Sequence, residues 1–376
     1  MPDILAEWAR DTQFAVPRSV FSIAKIVLTF GLRSPMRFFA AARLAFFTSR
    51  PGVRGFVYQS IYFLEAILVA DLLRRNAIAH VHNHNGDHSG TVTMLAARLA
   101  GIGYSITFHG WPVFFDAKYS RIKEKVRGSQ FTRSISYFCR SQLMMFSECD
   151  DATSFKIVHC GLEIDKYRYR PPRNVVKRLI CVARLSSEKG HTSLIKALKM
   201  LRDKGYDLEL RLAGDGPTKE ALEKMADEFG VAEQVHFLGF LNEEEVICEL
   251  ENADLFVLPS FVEGVPVSAM EAMAIGLPVI ATNIAGTSEL IEDGRTGILV
   301  RPSDPEALVD AVIRMVHSWS FRLSAAELGR KKVKDEFDVL NETRKLNQYL
   351  LEAVQTPAEG CARGEGNRIR PATEAA

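Results

Sequence analysis

LFVLPSFVEGVPVSAMEAMAIGLPVIAT, residues 255–282, decides the fold. Residues 255–258 form an unbroken apolar run bounded by Pro259, the mark of a strand buried on both faces. Residues 267–275 follow as a helix with Pro266 at its start, and residues 278–281 return as a second strand. A strand, a helical crossover and another strand in so short a stretch predict a parallel sheet with helices packed on it. The alternation extends towards the amino terminus: strands over 178–183, 208–213 and 234–238, and helices over 191–203, 218–229 and 243–252. Beyond it come a helix over 304–316 and further helices to about residue 354.

The first half repeats the pattern less clearly. A helix is expected over 59–75, strands over 78–81, 104–108 and 156–158, and helices over 91–100 and 141–146. Residues 20–29 and 35–48 read as apolar helical segments punctuated by Arg, without clear caps and separated at Gly31. The polar, Pro-containing stretch 165–173 reads as a linker. The expected division is a domain over 1–165, a second over 174–337, a terminal helix over 338–355 returning to the first domain, and a disordered tail over 356–376.

The 376 residues are 47% hydrophobic and 25% charged, globular proportions that exclude a disordered or fibrous chain. Six scattered Cys lack CxxC spacing, so neither a disulfide framework nor a zinc cluster is indicated and a reducing compartment is expected. A net charge of +1 conceals an asymmetry: residues 1–173 hold 23 Lys and Arg against 13 Asp and Glu, and the remainder 24 against 33. A basic half rich in Phe and Leu suits an anionic membrane surface better than nucleic acid, for which no binding motif is present. Charged residues interrupt each long apolar run, so no membrane span is expected.

Ligands of parallel sheets bind beyond the carboxyl ends of the strands. After the strand ending at Ala183 come Arg184 and Lys189, a planar fork and a mobile point charge suited to clamping a phosphate; two surface cations are the plain alternative. Gly214, in Ala213-Gly214-Asp215-Gly216-Pro217, permits close backbone approach but does not match the dinucleotide fingerprint. In the opening stretch, Gly264 lets the chain fold back, and the amides around Val265 and Val267 face whatever lies beyond the strand, where an anion fits. Glu271, on a helix of Ala and Met, would be costly without a partner, which points to sugar hydroxyls; a carboxylate merely facing solvent is the plain alternative. In the first half, His109 directly follows a strand and can donate to a sugar hydroxyl or remain structural. His80, His82, His84, Asp87 and His88 invite a metal reading, but the strand gives way to a loop and no closed ligand set follows; no metal is expected.

These residues carry a resemblance. His159-Cys160-Gly161-Leu162-Glu163-Ile164-Asp165, Arg184 with Lys189-Gly190, the Gly214 turn, Glu263-Gly264-Val265-Pro266 with Glu271, and Gly294-Arg295-Thr296-Gly297 resemble glycosyltransferase family 4 over nearly all of residues 157–301. The resemblance implies GT-B architecture, two facing Rossmann-like domains with parallel sheets. It further implies transfer of a sugar from a UDP- or GDP-linked donor with retention of configuration, and no bound metal or other cofactor. It assigns Arg184 and Lys189 to the diphosphate, Glu271 to the ribose hydroxyls, and Glu263 and His109 to the transferred sugar. Glu289 matches a recurrent acidic position. The first half is similar to bacterial exopolysaccharide and colanic-acid transferases, which implies a lipid-linked oligosaccharide acceptor and a peripheral place on the cytoplasmic face of the plasma membrane. The family's opening strand, Gly-rich loop and helix has no counterpart at Met1-Pro2-Asp3, so that unit is expected to be atypical or missing. A sugar-nucleotide epimerase and a non-catalytic partner in polysaccharide assembly are the alternative readings.

Overall fold

The computed structural model describes residues 10, 12–15, 19–148 and 152–356. The chain's first nine residues, and the expected tail after residue 356, lie outside the described residues. Two compact units divide the chain: residues up to Ser134, Ser141–Lys156 and from Asn347 onward form the first, and Ile135–Arg140 with Ile157–Leu346 the second. The main crossing therefore falls near residue 157 and not 165, because Leu162, Ile164 and Tyr167 already belong to the second hydrophobic core.

In the first unit, strands β1 (His80–Asn83), β2 (Gly103–Phe108), β3 (Phe131–Ser134) and β4 (Phe155–Ile157) lie in chain order, with β1, β2 and β3 pairing in parallel. Helix α1 (Val20–Arg33) is capped by the Ser19 hydroxyl, which accepts from the Ser22 amide, and it runs through Gly31. Helix α2 (Pro35–Thr48) follows directly. Helix α3 (Val53–Arg75) starts six residues before its expected place and packs on α4 (His88–Ala100). Ala66, Ile67, Leu68 and Ala70 of α3 meet Leu95, Ala96 and Leu99 of α4, Ile26 and Phe30 of α1, and Ala41 and Ala45 of α2. Among the described residues α3 is long and apolar enough to cross a membrane, despite Glu65 and Asp71. Helix α5 (Ile122–Gly128) belongs to the first unit, and α6 (Tyr137–Ser147) begins in the second unit and ends in the first.

Alternation along the strands gives this sheet one polar face. There the Ser105 hydroxyl bonds His80 Nε2 at 2.8 Å and His82 Nδ1 at 2.6 Å, while Thr107 Oγ1 lies 2.8 Å from His82 Nε2. Both nitrogens of His82 are thus engaged by hydroxyls, leaving neither for a metal. Burial, then His84, Arg133, His80 and His109, pull its pKa down to about 3.

The second unit contains β5 (Arg178–Val182), α7 (His191–Asp203), β6 (Glu209–Ala213), α8 (Lys219–Glu228), β7 (Val235–Gly239), α9 (Glu243–Asn252), β8 (Leu255–Leu258), α10 (Val267–Ile275), β9 (Val279–Thr282), α11 (Thr287–Leu290) and β10 (Ile298–Val300). Helices α12 (Pro305–His317), α13 (Trp319–Glu336) and α14 (Val339–Gln355) follow. The strand order is β10-β9-β8-β5-β6-β7, all parallel. The chain builds outward from β5 in one direction, then returns beside it at β8 and builds in the other. That reversal opens a crevice between the carboxyl ends of β5 and β8.

The expected linker over 165–173 is instead fastened to the second unit. The Arg170 amide donates to the Ile275 carbonyl at 2.7 Å, and Arg173 bonds Asp254 at 3.1 Å. The buried guanidinium of Arg322 donates to the Asn174 carbonyl at 2.7 Å. A segment rich in Arg reads as solvated, but here arginines on the segment and around it find fixed acceptors.

Because His82 binds a proton far more readily when unfolded, its contribution to stability is complete above about pH 6.5 and is lost as the pH falls towards 3. Thermal melts across this window should show His82→Asn flattening the acid dependence by up to roughly 1.4 kcal/mol per pH unit. An unchanged slope would remove His82 from the account.

Candidate active site

The crevice at the reversal is lined by the loops after β5 and β8, and their charged residues meet there. Lys189 Nζ lies 2.7 Å from Glu263 Oε1, and the Ser260 hydroxyl donates to the same oxygen at 2.6 Å. Glu263 is 8% exposed. Its burial is compensated by a cation and a hydroxyl at hydrogen-bond distance, the condition under which a buried carboxylate persists. Ser260 is fixed in turn through its carbonyl, which accepts from Thr282 Oγ1 at 2.5 Å. Arg184, just past β5, is exposed.

Backbone approach sets these positions. Gly190 has φ +68°, and a Cβ there would overlap the Pro259 carbonyl oxygen. Beside it the Phe261 amide donates to the Glu188 carbonyl at 2.7 Å. At Gly214, φ is +143° and a Cβ would overlap the Ala183 carbonyl oxygen. Its freedom is therefore used in packing the end of β6 onto the end of β5. The Gly264 carbonyl accepts from the Gly286 amide at 3.0 Å, joining the loops after β8 and β9. Helix α10 starts after Pro266 without a side-chain cap. Val265 is buried just before the helix and Val267 opens its first turn, whose amides point out of the helix end and favour negative charge.

Glu271 sits in the second turn of α10. Tyr167 Oη donates to Glu271 Oε1 at 3.1 Å. Burial raises the carboxyl's pKa above its ordinary value; the Tyr167 hydrogen bond opposes the rise and Glu243 adds to it. The phenol is itself pushed well up, by burial first and then by Glu271, so it acts as a hydrogen-bond donor. Sequence reasoning missed Tyr167 because it lies in the supposed linker. An aromatic five residues from the segment's last Pro, followed by alternating Arg and Tyr, was the available signal.

Two further predicted residues stand outside the loops after β5 and β8. Glu289, on α11, accepts from the Tyr137 amide at Oε2 and the Phe138 amide at Oε1, both at 2.8 Å. It caps α6, with each carboxylate oxygen committed to a backbone N–H. His109 follows β2 in the first unit, its ring centroid 6.3 Å from that of His84. Burial, then Arg133 and His84, lower its pKa, which keeps the imidazole neutral near pH 7.

Residues 168–332, which hold this crevice, match the family described as Glycosyl transferases group 1. Over that segment the chain is similar to group 1 glycosyl transferases. The amylovoran biosynthesis glycosyltransferase AmsK of Erwinia amylovora is 31% identical over 53% of this chain and 51% of its own. Escherichia coli WcaL, whose name assigns it to colanic acid biosynthesis, is 32% identical over 50% of this chain and 49% of its own. The chain thus spans about half the length of the curated relatives it matches. Anabaena HepE, solved with UDP and glucose, superposes with a TM-score of 0.68 at 20% identity, covering 76% of this chain and 81% of that one. That likeness fixes the architecture: the two parallel-sheet α/β domains are those of a GT-B fold.

The crevice carries a stability cost that can be measured without any substrate. A carboxyl with a raised folded pKa weakens the fold above that pKa, and the penalty vanishes below the unfolded value. Glu271→Gln should therefore raise the melting temperature by a few degrees at neutral pH, with the gain shrinking on acidification. Gly190→Ala should do the opposite, costing about 1–3 kcal/mol in denaturant melts. A neutral Gly190→Ala would mean that the two loops are not interlocked.

Proposed function

We propose that the chain transfers a sugar from a nucleoside-diphosphate donor to a growing surface polysaccharide or oligosaccharide carried on a lipid. The observation that supports this most directly is the Lys189–Glu263 pair at the sheet's reversal, beside the open amino terminus of α10. As the bond to the diphosphate breaks, negative charge grows on the leaving phosphate. Lys189, Arg184 and the first amides of α10 supply positive charge to it, so the reaction asks for no metal. Glu263, already bonded to Lys189 and Ser260, would accept from hydroxyls of the transferred sugar. Glu271, steadied by Tyr167, would accept from the ribose. His109, at the end of β2 in the first unit, would offer a neutral hydrogen-bond donor.

The acceptor hydroxyl would attack from the face that the diphosphate leaves, with a phosphate oxygen taking its proton and configuration retained. The names of AmsK and WcaL support a polysaccharide product, and HepE's complex supports a UDP-linked donor. A basic, apolar first half supports a peripheral site of action on the cytoplasmic face of the plasma membrane.

A panel of UDP- and GDP-sugars, read by release of the nucleoside diphosphate, tests the proposal. Turnover of one donor is expected to persist in EDTA. Lys189→Met should lower kcat by about 100-fold or more, as loss of a leaving-group cation does. Glu271→Gln should act mainly on donor KM. Appearance of an epimerised donor, or donor binding without turnover, would replace transfer with one of the two alternative readings.

A further inference from the structure

We propose that α1, α2 and the first half of α3 form a docking surface that lies in the headgroup layer of an anionic lipid bilayer without crossing it. Each of these helices carries two apolar stripes where a surface helix normally carries one. In α1, Ile26 and Phe30 enter the core shared with α4, while Phe21, Leu28 and Leu32, on the opposite side, are exposed; Phe21 is 89% exposed. Helix α2 buries Ala41 and Ala45 and exposes Met36, Phe39 and Phe46, the first of them 86% exposed. In α3 the second stripe is Val53, Val57 and Leu64. Single exposed apolar residues are ordinary on a protein surface, but three stripes on mutually packed helices exceed what a soluble surface carries without a partner.

Charge selects the occupant. From residue 12 to residue 64 there is no Asp or Glu, while Lys25, Arg33, Arg43 and Arg54 are exposed among the apolar residues. The Arg43 guanidinium lies 5.5 Å from the Phe47 ring, and that of Arg54 lies 5.6 Å from the Tyr58 ring. Cations on long stems beside aromatic rings suit the boundary between acyl chains and phosphates, where the ring enters and the charge stays outside. A second copy of this surface would oppose cation to cation with no carboxylate from residues 12–64 to pair them, which disfavours self-association.

Helix α3 is long enough to span, but its second half is core: Ala66 to Ala70 are packed against α4. Its free apolar portion, from Val53 to Leu64, is about 18 Å long, well short of the ~30 Å hydrocarbon layer. It can therefore lie in the interface and cannot cross. This deepens the membrane placement in the proposed function, but lipid binding itself requires no turnover.

The full-length chain should sediment with phosphatidylcholine vesicles containing phosphatidylglycerol at least about tenfold better than with phosphatidylcholine alone, and added salt should weaken the binding. The triple variant Phe21→Ser, Phe39→Ser and Val57→Ser should bind the anionic vesicles at least about tenfold more weakly. A second triple variant, Lys25→Glu, Arg43→Glu and Arg54→Glu, should lose the preference for phosphatidylglycerol and serves if the first alters the melting transition. Equal recovery with both vesicle types, or wild-type binding by both variants, would overturn the proposal. So would a wild-type dimer abolished by the first variant, which would make a second copy the occupant. Vesicle binding with a silent donor panel would sink the enzymatic reading and leave the docking surface standing; turnover without vesicle binding would do the reverse.

Discussion

A half-buried ion pair holds the centre of the second unit. Lys189 belongs to the loop after β5 and Glu263 to the loop after β8, two segments that meet only because the sheet changes direction between those strands. Withdrawing both charges from water is unfavourable, and an ion pair alone compensates poorly for it. The Ser260 hydroxyl, the carbonyl accepting from Thr282, and the glycine that lets the loops touch make the arrangement tolerable. The result is a cation held within reach of any anion entering the crevice, already oriented before it arrives. Such preorganisation is where an electrostatic catalyst gains most, since little reorientation remains for the reacting state.

Much of this was legible in the sequence because burial and chemistry coincide there. Strand β8 is a continuous apolar run, and structure places β8 and α10 at the residues their composition indicates. Arg184, Lys189, Glu263 and Glu271 were all visible as polar residues at strand ends or on an otherwise apolar helix. Contacts distant along the chain were not visible. Tyr167 reaches Glu271 across 104 positions, and Glu289 reaches the start of α6 across about 150. Nothing local distinguishes a carboxylate that caps a remote helix from one that waits for a ligand. The strap over 165–173 misled for a related reason: charge and proline suggest exposure only when the partners of the arginines are unknown.

The first unit was harder to read because its helices violate the usual one-sided pattern. With apolar residues on two faces, α2 and α3 show weak periodicity, and α3 starts six residues before the expected place. In its sheet, His80 and His82 invited a metal reading that the sequence analysis set aside, and their partners are Ser105 and Thr107 on the neighbouring strand.

The two sheets differ in a way that bears on how such a chain can diverge. Among the described strands the first sheet runs β1 to β4 without turning back, whereas the second reverses at β5. By geometry alone, the crevice created by reversal is the property of one sheet, and its recognisable sequence, 168–332, stays within the unit that makes it. The other sheet is released from that constraint. Its helices can change their outer surfaces while the crevice keeps its form.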